Sequence, residues 1–160
     1  MTDTTQPQKP VIESITIIHQ IDDSPDFSYL KTTWEPKPHG KIKIISSCQH
    51  TQKEADEHPK LTKKYILQDT ERLKQINNGQ IWQIGIYAQA EISVNHGSYK
   101  RLDTLQSSGL WGIESDSSNE SIKETEKDEL ADLKRHLQAF NVDVSNFDEI
   151  AQKATVKDEY

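Results

Sequence analysis

With only 32% hydrophobic and 28% charged residues in 160, the chain is sized for one domain with a small core and polar ends. A lone cysteine, Cys48, excludes an internal disulfide, and no apolar run reaches the roughly 20 residues of a membrane-spanning helix, so the sequence reads as cytoplasmic with no membrane partner. The net charge of −7 lies in the last third, because residues 1–113 carry 13 acids and 13 bases while residues 114–160 carry 13 acids and 6 bases. Such an end excludes direct binding of nucleic acid, whose phosphates need a basic surface.

In chain order, "MTDTTQPQKP", residues 1–10, is polar and proline-containing and reads as a disordered lead-in without the pattern of a signal peptide. "VIESITIIHQI" places Val11, Ile15, Ile17, His19 and Ile21 at even spacing, as a half-buried strand does. After a break at Pro25, "KIKIIS" (residues 41–46) is a second short strand, expected to pair with the first as a wide hairpin.

A helix follows, with Pro59 at its first position and Thr62, Ile66, Asp69, Leu73 and Ile76 at spacings of three and four. "NNG" at residues 77–79 stops it. "IWQIGIYAQAEISV" then alternates strictly. Trp82, Ile84, Ile86, Ala88, Ala90, Ile92 and Val94 are expected to face inward, with Ala88 and Ala90 marking the closest approach of a helix. "NHG" (95–97) makes the hairpin turn to "SYKRLDTLQSS", and Glu91 and Asp103 are expected to face each other across it.

The last helix spans about 120–140, with Ile122, Leu130, Leu133, Leu137 and Phe140 as its apolar stripe and Ser117 with Glu120 as a capping box. Ser145 and Asp148 open a short further helix before the polar "KATVKDEY". The expected architecture is α+β in the order β-β-α-β-β-α, an antiparallel sheet of about four strands with two helices packed on one face. Residues 11–141 form the domain, and 142–160 a short helix and polar tail. Between sheet and last helix, Gly109 and Gly112 flank Leu110 and Trp111, both expected as anchors in the core, with Trp111 joining sheet and helix.

The strings "YILQDTERLKQINNGQIWQIGI" and "SSGLWGIESDS", with "DFSYL" at residues 26–30, resemble an uncharacterised family of small acidic proteins of bacteria, their phages and other mobile elements. Its members carry a "SGGLWGIESD" segment followed by an acidic helix, with glycine where this chain has Ser108. The likeness covers residues 65–137 and implies a mobile-element setting without implying an activity.

Candidate chemistry is sparse. His50, Glu54 and His58, with Cys48 just ahead, are residue types that bind zinc, but Pro59 disturbs the helix that would align them, and solvated loop residues are the plainer account. "ESDSSNES" lacks the central glycine and closing acid of a calcium loop. No nucleophile elbow or phosphate-cradling glycine loop is present, so neither an enzyme nor a cofactor is expected, and no metal. The remaining feature is an acidic face. Glu114, Asp116, Glu120, Glu124, Glu126, Asp128, Glu129 and Asp132 array carboxylates along one helix and its entry loop, where they can imitate phosphates. The expected partner is a basic protein surface, that of a nucleic-acid-binding protein. The first functional reading is a small binding protein of a phage or mobile element that inhibits a host defence nuclease, a CRISPR or restriction complex. The alternatives are an accessory protein whose acidic helix only solubilises it, and a metal-dependent enzyme using the Cys48–His58 region.

Overall fold

The computed structural model describes residues 8–96 and 98–160. Most of the lead-in and Gly97 of the hairpin turn lie outside the described residues. The fold is α+β, as expected, and divides into two compact units, Met1–Asp22 with Gln83–Tyr160, and Asp23–Trp82.

The first unit is built on a mixed five-stranded sheet. Strands β1 (Val11–Ile21), β4 (Gln83–His96), β5 (Tyr99–Gln106) and β7 (Thr155–Glu159) run in the order β5-β4-β1-β7, and β6 (Leu110–Glu114) pairs with β4. The first strand therefore pairs antiparallel with β4 and parallel with β7, and not with residues 41–46 as expected. The long, strongly alternating β4 offers β1 a better partner than a short strand does. Within β1 a bulge between Ile12 and Ser14 shifts the register, so Ile12 rather than Val11 faces the core. The "polar tail" supplies β7, whose charged residues Lys157, Asp158 and Glu159 suit an exposed sheet edge.

One face of this sheet carries Ile15, Ile17, Ile84, Ile86, Ala88, Ala90 and Ile92, all buried. Helix α3 (Asn119–Ala139) lies on it through Leu133 and Leu137, both fully buried, with Ile122 and Leu130 beside them. Ala88 and Ala90 leave room for the helix, as their size suggested. Its N-cap is Ser118, whose hydroxyl accepts from the Ser121 amide at 3.2 Å, so the capping box drawn between Ser117 and Glu120 does not form. Phe140 is the C-cap and is 66% exposed, outside the apolar stripe that it was expected to complete. The short helix α4 (Phe147–Ala151) forms as expected, and buried Phe147 joins the same core.

The second unit contains the hairpin β2 (Thr32–Pro36) with β3 (Ile42–Ser47) and the helices α1 (Gln52–Glu57) and α2 (Pro59–Asn77). Helix α2 begins at Pro59 and stops before Gly79, whose φ of +69° supplies the left-handed turn. Its Ile66 packs with Ile42 and Ala55 into a small separate core. No helix among the described residues is long and apolar enough to cross a membrane.

Candidate functional site

The segment from Ser107 to Glu114 departs most from the expected arrangement. Strands β5 and β6 both lie along the same edge of β4, β5 against residues 89–96 and β6 against residues 83–86. The chain leaves the edge after Gln106 and returns at Leu110, a detour that removes strand partners from the amides around it. Each is supplied by another group. The Ser107 hydroxyl accepts from the Ala88 amide at 2.9 Å, while the Ser107 amide donates to the Ala88 carbonyl at 2.9 Å. From α3, Asp132 accepts the Ser108 amide at 2.8 Å and Glu129 the Gly109 amide at 3.0 Å. One turn on, His136 Nδ1 donates to the Gln106 carbonyl at 2.9 Å. Backbone groups that lose their strand partners are satisfied here by side chains of α3, which clasp the detour onto the helix. The Ser108 amide is the main reason that the Asp132 carboxyl is held below the usual carboxylate range, with His136 and Arg135 adding to it.

Gly109 (φ +77°) and Gly112 (φ +81°) both stand in the left-handed region. Gly112 belongs to a bulge, since Leu110 pairs with Ile86 and Ile113 with Ile84, leaving an extra residue in β6. The bulge turns Trp111 away from the helix. Trp111 is 46% and Leu110 49% exposed, so neither is the buried anchor that the sequence suggested. Its ring lies over Gly85, where an added methyl group would overlap it, and stacks on Tyr87 with centroids 6.4 Å apart and planes 25° apart. Gly85 and Tyr87 alternate with the core residues of β4, so this aromatic pair sits on the sheet face opposite α3. The anchoring role falls to Glu129 and Asp132 instead.

The carboxylates expected along α3 divide into three sets. Glu129 and Asp132 are taken up by the clasp. Glu126 turns inward, and its Oε1 lies 2.9 Å from Nε2 of buried His19, whose Nδ1 lies 3.0 Å from Asp158 of β7. That histidine joins β1, α3 and β7 through both ring nitrogens. Glu120, Glu124 and Asp128 form the third set, all exposed on the helix face turned away from Leu133 and Leu137. Their side chains make no hydrogen bond or ion pair among the described residues. Lys123 and Lys127 are exposed beside them, equally without partners among the described residues. In the entry loop, Glu114 is half-buried and Asp116 exposed, and both are engaged by other groups.

Around Cys48 the proposed ligands disperse into structural bonds. Glu54 closes a capping box with Thr51, accepting the Thr51 amide at 2.9 Å, which holds the Glu54 carboxyl below its ordinary value. His50 Nε2 meets Asp69 at 2.9 Å, and Cys48 is exposed. His50, Glu54 and His58 do line one small cavity of about 160 Å³, but no group of three or more potential metal ligands converges among the described residues. Glu91 and Asp103 do not face each other. Glu91 opposes Thr104 and Asp103 opposes Ile92, so the two carboxylates lie on opposite faces of the sheet. The turn sets an odd–even pairing across this hairpin, which keeps two odd-numbered residues apart.

Two features had sequence signals that went unread. A glycine between Ile84 and Ile86 in β4 marks close approach of another group, here Trp111. Thr51 followed by Glu54 is the capping box of α1. No family model matches the chain, and no curated protein or solved structure matches it.

Proposed function

We propose that this protein is a small non-enzymatic binding protein whose acidic α3 face engages a basic surface on a nucleic-acid-binding protein. The observation that carries this reading is the stripe of Glu120, Glu124 and Asp128, exposed, without partners among the described residues and directed away from the core. Successive members stand one helical turn apart, about 6 Å, comparable to neighbouring phosphates along a nucleic-acid strand. The helix is held in place by groups that leave the stripe open, because Glu129, Asp132 and Glu126 make the inward bonds. The likeness of residues 65–137 to proteins of phages and mobile elements supports a setting in which the partner is a host defence nuclease, a CRISPR or restriction complex.

The test is comparative capture from bacterial lysate with the wild-type protein and with the Glu120→Lys/Glu124→Lys/Asp128→Lys variant. The reading expects wild type to retain a nucleic-acid-binding protein that added DNA displaces, and the variant to lose it. Capture that the variant retains in full rejects the acidic face as the binding surface.

A further inference from the structure

Among the described residues, strand β5 is the outermost strand on its side of the sheet and pairs only with β4. Its residues are exposed or half-exposed throughout, including Tyr99 at 62% and Leu102 at 55%. On the face shared with α3, the Arg101 and Asp103 side chains are still 62% and 39% exposed, so the helix leaves this part of the edge open. Among the described residues their side chains bond only to each other, Arg101 donating to Asp103 at 2.9 and 3.2 Å. An uncovered edge strand presents unpaired backbone N–H and C=O groups to any chain that can align with it.

What aligns is limited by symmetry. Two copies that continue one sheet are related by a two-fold axis perpendicular to it, so paired residues share a face and the axis passes through one residue of β5. An axis at Lys100, Arg101 or Asp103 sets identical charges against each other. An axis at Thr104 sets Asp103 beside Leu105 and leaves Arg101 without an acid. An axis at Leu102 sets Leu102 against its own copy, Arg101 against Asp103 on both sides, and Tyr99 against Leu105. Both charges are then matched twice, and the most exposed apolar residues of the strand are covered. The opposite edge offers nothing comparable. In β7, centring on Lys157 or Asp158 opposes like charges, and Asp158 already holds His19.

We propose that β5 is a self-recognition edge that pairs with β5 of a second copy, antiparallel and centred on Leu102, to give one continuous sheet across a two-fold dimer. This does not rest on the acidic-face reading, and the tests below touch none of its residues.

Sedimentation velocity from about 1 to 200 µM, a range that brackets moderate and weak association, shows the wild-type chain shifting from monomer to dimer. Arg101→Asp and Asp103→Arg each oppose like charges across the axis and weaken association about tenfold or more. The double variant Arg101→Asp/Asp103→Arg restores it. A wild-type chain that stays monomeric through this range overturns the proposal, and a double variant as weak as the singles overturns the register. In a Cys48→Ser background, Leu102→Cys brings two thiols together across the axis, at about 4.5–5.5 Å between Cα atoms, within disulfide range. Oxidation then gives a covalent dimer. Thr104→Cys, on the same face but about 13 Å from its own copy by strand rise, does not. Equal cross-linking of both variants, or of neither, rejects the pairing.

Discussion

Replacing Gly85 with alanine tests whether Trp111 lies flat on the outer face of the sheet. The added methyl group falls within the indole ring, on its Cε3, Cδ2 and Cζ3 atoms, so the ring must move. Overpacking of this kind costs typically ~1–3 kcal/mol. The structure also sets a ceiling, because the chain can expel the ring altogether. Trp111 is 46% exposed, so the ring loses at most about half of the ~200 Å² a tryptophan can bury, ~2.5 kcal/mol as an upper bound. Gly85→Ala should therefore destabilise by ~1–2.5 kcal/mol, read by urea unfolding followed by far-UV circular dichroism. In a Trp111→Ala background the obstacle is gone, and the same change should be neutral or mildly stabilising, since glycine weakens a strand interior. Equal destabilisation in both backgrounds would refute the placement of Trp111 over Gly85.

The other predictions concern the core and the clasp. Ile86→Asp puts a charge at a fully buried position and should abolish folding, whereas Gln89→Lys on the opposite face should stay within about 0.5 kcal/mol of wild type; equal damage in circular dichroism melts would show both faces sealed. Glu129→Ala strips the Gly109 amide of its acceptor and should cost ~1–3 kcal/mol, with faster hydrogen exchange at Gly109 as the local readout. Asp132 has a folded-state pKa below its unfolded value, so its stabilising contribution is complete above the unfolded value near 4 and is lost as pH falls through the folded value. Asp132→Asn should accordingly flatten the acid limb of stability against pH between about 2 and 5, and an unchanged limb would remove Asp132 from the clasp.

The sequence made the repetitive elements legible and hid the long-range choices. Strand β4 follows from its alternation, helix α2 from its period, Pro59 and stop signal, and helix α3 from its apolar stripe, because those signals are local, although the cap of α3 falls at Ser118 rather than Ser117. The partner of β1 was not legible. Pairing depends on which distant strand offers the better match, and neither the bulge at Ile12 nor the parallel addition of β7 leaves a local mark. Trp111 was misplaced because burial was inferred from residue type, while the bulge at Gly112 decides which face the ring occupies. The acidic segment could be read as a whole, but its division could not. Glu126, Glu129 and Asp132 are committed inward by groups from β1 and the Ser107–Gly109 detour, and only the folded chain shows that Glu120, Glu124 and Asp128 remain outward.

The most direct test of the proposed function is the affinity of the captured partner measured against salt, for wild type and for the Glu120→Lys/Glu124→Lys/Asp128→Lys variant. All three positions are exposed and outside the clasp, but Glu120 lies in the first turn of α3, where a lysine opposes the helix dipole, so a circular dichroism melt accompanies the titration and loss of binding by a folded variant reports on recognition. An acidic face meeting a basic nucleic-acid site predicts wild-type affinity that falls steeply as salt rises and screening shortens, and a variant with no measurable binding at any salt. Affinity that is indifferent to salt and equal in the two proteins would contradict it.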